Sequence, residues 1–284
     1  MTRLGHSPRA MHGWENDHAK LPSVDACPDR GMTMDLSGKV AFVTGGSGDI
    51  GRAIAEALAV SGTHVAVSYV GERDRAEAVV EAVRRTGRQS HAVQLDQRDS
   101  KSIDLCVEKV IDHFGRIDIL VNNAAWNIGI PFSELDALTP EIWDRVLETN
   151  LRGPFLLSRA FASGLRRHKA GRIINIASLA GLAPGGSSIA YAASKAALIH
   201  LTHCLAVAMA PDVTVNCIAP GLVEGTRMAG RLTQEMKQVL RTQSVLERTG
   251  SADDIAQMTV AYCRAVSITG QTVVVDGGNP MGMR

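Results

Sequence analysis

Ser178, Tyr191 and Lys195 are the residues of this chain whose types and spacing can do chemistry together. Tyr191 and Lys195 stand at i, i+4 in IAYAASK, so a helix would place both on one face. An ammonium beside a phenol favours the phenolate, which is expected to move the phenol down from about 10 toward neutrality. Ser178 precedes the tyrosine by 13 residues and offers a hydroxyl to hold a carbonyl oxygen against the phenol. Such a trio suits proton transfer to or from an alcohol oxygen. It carries no hydride, so the other half of an oxidation must be bound elsewhere.

The elements that must position the trio alternate regularly. Short apolar runs at 39–44, 64–69, 90–95, 117–121, 172–177, 213–218 and 272–275 read as buried parallel strands. Helical spacing fills the intervals at 50–60, 73–85, 100–114 and 189–209, the last closed by Pro211. Thr139-Pro140-Glu141 has a helix-start signature, and the helix it opens is expected to run to about Arg167. Ser251-Ala252-Asp253-Asp254 resembles a capping box opening a further helix. This order implies an α/β fold with a doubly wound parallel sheet of about seven strands flanked by helices. No internal repeat or linker appears after residue 38, so 35–284 reads as one domain.

Composition narrows the class further. The 284 residues are 45% hydrophobic with a formal net charge of +1, which gives no polyanion-binding surface. The five cysteines, Cys27, Cys106, Cys204, Cys217 and Cys263, are scattered and form no C-x-x-C pair, as expected of inert thiols in the cytoplasm. No apolar run is read as reaching the ~18 residues that span a bilayer. Residues 1–34 lack periodicity or a signal-peptide pattern and read as a disordered tail, with Met32 or Met34 as an alternative start. His6, His12 and His18 in that tail lack ligand-pair spacing for a metal; the i, i+3 pair His200 and His203 has such spacing but no carboxylate or cysteine ligand nearby, and reads as helix-packing or interface residues.

Thr44-Gly45-Gly46-Ser47-Gly48-Asp49-Ile50-Gly51 lies between the first strand and first helix, where a dinucleotide fold seats a pyrophosphate. Asn122-Asn123-Ala124-Ala125 follows the fourth strand, Asn150 lies in TNLRGPF, Pro220-Gly221 ends VNCIAPG, and ITGQTVVVDGG closes the chain. Together with the ordered Ser178, Tyr191 and Lys195, these motifs closely resemble the short-chain dehydrogenase/reductase family over residues 36–279, most of all its 3-oxoacyl-carrier-protein reductases. The resemblance implies a single-domain Rossmann-type fold and hydride transfer with a nicotinamide cofactor. It implies Tyr191 as general acid or base, Lys195 as the group that lowers its pKa and holds the ribose, and Ser178 as the residue orienting the substrate oxygen. Asn150 would hold a water linking Lys195 to solvent. Cofactor contacts would come from Gly45, Ser47, Asp49, Ile50, Gly51, Ser68, Tyr69, Arg73, Asp96, Asn123, Ala124, Tyr191, Lys195, Pro220, Gly221, Val223 and Thr226.

This chain departs from the family pattern at four places. Asp49 stands where the family has glycine, and a carboxylate there repels a pyrophosphate unless it points away. Ala125 replaces the usual glycine of Asn-Asn-Ala-Gly, one extra residue separates Gly221 from Thr226, and the link from Tyr262 to Ile268 is short. At the end of the second strand, Ser68 and Tyr69 are neutral and Arg73 is available to a 2′-phosphate, which favours NADP over NAD although Glu72 opposes it. Small and apolar residues (Ala180, Leu182, Ala183) and Trp126 predict an open apolar pocket with no positioned charge for an anionic substrate. Residues 222–246 read as a lid with Met228, Leu232, Met236 and Leu240 on its apolar side. Arg166, Arg167, Lys169 and Arg172 form a basic cluster, read as a solvated helix end that could alternatively greet an acyl-carrier protein. Three functions compete: an NADPH-dependent reductase of ketones or 3-oxoacyl groups, an NAD-dependent alcohol or sugar dehydrogenase, and a silent dinucleotide-binding regulator. A homotetramer or homodimer through the long helices is the assembly the resemblance implies.

Overall fold

Seven parallel strands in the order β3-β2-β1-β4-β5-β6-β7 make a single sheet in the computed structural model, which describes residues 33–280. They are β1 (Val40–Val43), β2 (His64–Tyr69), β3 (Ser90–Gln94), β4 (Ile119–Asn122), β5 (Gly171–Ile176), β6 (Val213–Pro220) and β7 (Thr272–Val275). The helices are α1 (Asp49–Val60), α2 (Arg73–Arg84), α3 (Ser100–Phe114), α4 (Pro140–Leu147), α5 (Gly153–Ala160), α6 (Ala162–Arg166), α7 (Ile189–Met209), α8 (Gln234–Thr242) and α9 (Ala252–Arg264). The doubly wound sheet is therefore as expected. His6, His12, His18, Cys27 and Met32 lie outside the described residues. Met34 lies inside them, and its N–H donates to the Arg264 carbonyl at 2.8 Å.

Strand pleating explains why two cores form. Ala41 and Val43 of β1 face one side with Val65 and Val67, while Val40 and Phe42 face the other with Ala66. The first side packs with Ile54 and Leu58 of α1 and Ile255 of α9; the second packs with Leu157 of α5 and Leu205 of α7. Chain direction reverses its winding between β1 and β4, and the ends of those strands open a crevice there.

Three expectations about elements change. The predicted helix 140–167 is broken: after α4, residues Glu148–Arg152 form a π-helical turn, and Phe161 interrupts the path between α5 and α6. Helix α7, 21 residues long, is by length and composition apolar enough to cross a membrane, with a mean hydropathy of 1.3 over an 18-residue window. Its Leu198, Leu205 and Met209 pack under β5 and β6, as in a core helix. In the basic cluster, Arg172 is buried and donates to the Cys263 carbonyl at 3.0 Å, and Arg166 donates to Ala208. That cluster sits at the N-terminal end of β5, across the sheet from Ser178, so it cannot greet a substrate at the trio.

The opposite rim is fastened by its own group. Asp118, just before β4, accepts the Val40 N–H at 2.9 Å and pairs with Arg116 at 2.7 Å. This buried carboxylate ties β1 to β4 where the strands begin.

Candidate active site

A cleft of about 1040 Å³ runs along the C-terminal ends of the strands, and it collects most of the sequence candidates. Its floor is the glycine loop. Gly45 takes φ +61°, and a Cβ there would come within 3.0 Å of the Ala124 Cα. At Gly51 a Cβ would meet the Gly45 oxygen at 2.4 Å and Asn123 Nδ2 at 2.7 Å, so only glycine lets α1 begin this close. Asn123 Nδ2 donates to the Thr44 and Gly45 carbonyls at 2.8 and 3.2 Å. Thr44 Oγ1 accepts the N–H groups of Asn123 and Ala124, both at 2.9 Å, and Ser68 Oγ accepts from Gly45 at 3.0 Å. No side chain caps α1, so its N-terminal amides and positive dipole end face the cleft. Such a floor fits a pyrophosphate.

Asp49 does not aim at that floor. Its Oδ2 accepts the Arg227 N–H at 2.8 Å, and its Oδ1 lies 3.6 Å from Arg75 Nη2. The expected repulsion is thus met by turning the carboxylate toward a main-chain donor and a guanidinium.

At the other end of the cleft stand the three reactive side chains. Ser178 follows β5 and opens a 3-10 turn, Leu179–Gly181, with its Oγ accepting from Ala180 N at 3.2 Å. Ser188 caps α7 by accepting from Tyr191 N, which fixes the tyrosine one turn into the helix. Tyr191 is 6% exposed and Lys195 2%. Lys195 Nζ donates to the Ile176 carbonyl at 2.8 Å and sits 5.6 Å from the Tyr191 ring centroid. Burial pushes the Tyr191 phenol up, with a hydrogen bond to Ser178 pulling the other way. The direction is opposite to the expected fall, because desolvation outweighs the Ser178 hydrogen bond. Burial also lowers Lys195 to about 8, opposed by Cys217.

Asn150 lies in the π-helical turn and is 1% exposed. Its side chain accepts from Trp126 N at 2.8 Å and donates to Trp126 O at 3.0 Å and Ser194 Oγ at 3.2 Å. The amide braces Trp126 and α7. Among the other candidates, Ser47, Ile50, Tyr69, Pro220, Gly221, Val223 and Thr226 line the cleft. Asp96 does too, but both its oxygens are taken by Arg98 at 2.6 and 3.0 Å, which also lowers its pKa. Thr226 Oγ1 donates to the Val223 carbonyl and accepts from Ala229, a local turn. Arg73 does not line the cleft; it pairs with Glu77 along α2 at 3.4 Å.

Several lining residues were not legible from motifs. Arg145 stacks 4.2 Å over the Trp126 ring, so the cleft does hold a positioned cation. Arg227, Gln97 and Asp276 also line it. Gln97 Nε2 donates to Thr149 and Ala124 carbonyls at 2.6 and 3.2 Å, joining the loops after β3 and β4. Met228, Leu232 and Leu240 face the cleft as expected, whereas Met236 points outward and is 52% exposed. Among the described residues no group of three His, Cys, Asp or Glu converges as for a metal, and His200 and His203 meet edge to face on the exposed side of α7.

A dinucleotide-shaped crevice beside a Ser-Tyr-Lys set narrows the comparison. The family model for short chain dehydrogenases matches residues 39–237. The chain belongs to that family. A relative from Staphylococcus aureus, 3-oxoacyl-[acyl-carrier-protein] reductase FabG, is 39% identical over 245 residues, covering 84% of this chain and 97% of its own. A short chain dehydrogenase from Burkholderia cenocepacia, solved in complex with NADP, superposes with TM-score 0.80 at 36% identity over 87% of this chain and all of its own. An NAD+-bound xylitol dehydrogenase superposes with TM-score 0.80 at 28% identity over 86% of this chain and 100% of its own. This short chain dehydrogenase is an oxidoreductase acting on CH–OH or keto groups with a nicotinamide dinucleotide.

Proposed function

We propose that the enzyme is an NADPH-dependent reductase that converts a ketone of the 3-oxoacyl class to its secondary alcohol. The observation that carries this is the buried Tyr191 in the same cleft as Ser178, with Lys195 Nζ 5.6 Å from its ring centroid. A phenol held protonated at neutral pH is a proton donor, which suits reduction. Ser178 Oγ orients the carbonyl oxygen; Tyr191 gives it a proton; the Lys195 ammonium stabilises the phenolate left behind. When bound, the dinucleotide supplies the hydride. Amides of the glycine loop would hold its pyrophosphate, and Lys195 its ribose.

Preference for NADP is supported by the end of β2, where Ser68, Tyr69 and Val70 bring no carboxylate to the adenosine ribose. Arg75 and Arg227 replace Arg73 as the cations there, since both reach Glu72 at that end of the cleft. The apolar wall of Leu179, Ala180, Ala183, Met228 and Leu232 suits an acyl chain. Arg98, Arg145 and Arg227 on the rim supply the positive charge for an acyl-carrier protein that the 166–172 cluster does not. Glu72 in the lining favours a second reading, an NAD-dependent alcohol or sugar dehydrogenase. Four unpaired cysteines among the described residues support a cytoplasmic setting. Self-association is supported by a groove along Leu147, Leu151, Phe155 and Leu201.

Fluorescence titration with NADPH and NADH, followed by ketone and alcohol panels, tests the reading. NADPH should bind at least about tenfold tighter, a 1.4 kcal/mol difference, and a 3-oxoacyl thioester should be reduced. Binding of neither dinucleotide would sink both enzyme readings.

A further inference from the structure

Asp49 stands in a loop built to receive phosphate, and its side chain is bonded away from that loop to the far wall of the cleft. We propose that Asp49 is a positioning residue that fastens the substrate-side segment 223–232 to the dinucleotide loop. The inference rests on the redox reading of the cleft. Its Oδ2 accepts the main-chain N–H of Arg227 at 2.8 Å, which fixes backbone and not merely a rotamer. Around that bond lies a ring of alternating charge. Arg227 Nη1 reaches Glu72 at 3.2 and 3.4 Å, Arg75 Nη1 reaches Glu72 at 2.9 Å, and Arg75 Nη2 returns to Asp49 at 3.6 Å. Three pieces of chain are joined: the start of α1, the start of α2 and the segment after β6. The Arg227–Glu72 pair is more than half exposed on both sides, so salt screens it and the main-chain bond is the specific element.

Thr226 and Met228, on either side of Arg227, both line the cleft. Thr226 is locked into its own turn by bonds to Val223 and Ala229, so moving Arg227 moves the whole turn. Holding the Arg227 amide therefore holds the wall that the substrate meets, while the amides of α1 remain available to the dinucleotide. One side chain sets the spacing between the two halves of the cleft.

Two variants test this. Asp49→Ala removes the acceptor; Asp49→Asn keeps an oxygen for the Arg227 amide and removes the charge. In the free protein, hydrogen exchange at the Arg227 amide should accelerate about tenfold in Asp49→Ala, the scale of one hydrogen bond to a charged group, and stay near wild type in Asp49→Asn. With NADPH saturating, the ketone KM should rise about tenfold in Asp49→Ala and be restored in Asp49→Asn, with the Kd of NADH, which has no 2′-phosphate to meet Arg75 and Arg227, unchanged within about threefold. Unchanged exchange and KM in Asp49→Ala would overturn the proposal. So would a parallel rise in NADH Kd, since a dinucleotide without the 2′-phosphate reports damage to the glycine loop instead. If wild type reduces no ketone, the redox reading fails while the exchange experiment still decides the strap.

Discussion

Lys195 is a cation held almost wholly out of water, with the Ile176 carbonyl as its hydrogen-bond acceptor. Its folded pKa, lowered from 10.5 to about 8, lies below the unfolded value. Between those values the unfolded chain binds more protons, so stability rises with pH across that window and the burial penalty is complete below about pH 8. The penalty is at most about 3 kcal/mol, against about 1–3 kcal/mol for leaving the Ile176 carbonyl unpaired. Lys195→Met should therefore raise the urea midpoint at pH 7, narrow that gain toward pH 10, and abolish turnover. A lower midpoint at pH 7 would contradict this account. Tyr191→Phe should cut turnover by about 10²- to 10⁴-fold while leaving NADPH titration unchanged; substantial residual turnover would remove Tyr191 as the acid. The i, i+4 spacing made the Tyr-Lys pair legible. The direction of the tyrosine shift was not, because burial is set by strands far away in sequence. Arg172 was misread for the same reason, since no local signal says that a cation beside three others ends under α9.

Gly181 shows how an element rather than a side chain places Ser178. The 3-10 turn that carries it lies so close to α7 that a Cβ at Gly181 would sit 2.6 Å from the Lys195 carbonyl carbon and 2.8 Å from Ala196 N. Gly181→Ala should push the turn off α7 and separate Ser178 from Tyr191. Steady-state kinetics should show kcat lower by about ten- to a hundredfold, with NADPH Kd retained; a wild-type kcat would mean the turn does not set the reacting geometry. Short apolar runs and helical spacing were legible, and 64–69, 100–114, 189–209 and 272–275 match their predicted bounds. Thr139 caps α4 and Ser251 and Asp254 form a full capping box, because both caps are local chemistry. The break in 140–166 was not legible. Apolar spacing continues through Leu147, Leu151 and Phe155, while the π turn holds Asn150, whose partner Trp126 is distant in sequence.

On the scale of the whole molecule, apolar surface is left on the side of α5 and α7. Val207 of α7 is 81% exposed, and Phe155, 41% exposed, lines a groove with Leu147, Leu151 and Leu201. Light scattering should report a dimer or tetramer, and Phe155→Glu should shift it toward monomer; a wild-type monomer would retire that interface. A parallel, doubly wound sheet of about seven strands was legible from alternation alone, but the end of the sheet that carries each cation was not. The fastening of β1 to β4 by Asp118, at the rim away from the cleft, has a consequence for anyone who would retrain the enzyme. Structural bonds of that rim share no residue with the substrate wall. A library randomised at Ala180, Leu182, Met228 and Leu232 would vary what the protein accepts while every variant keeps the Asp118 fastening.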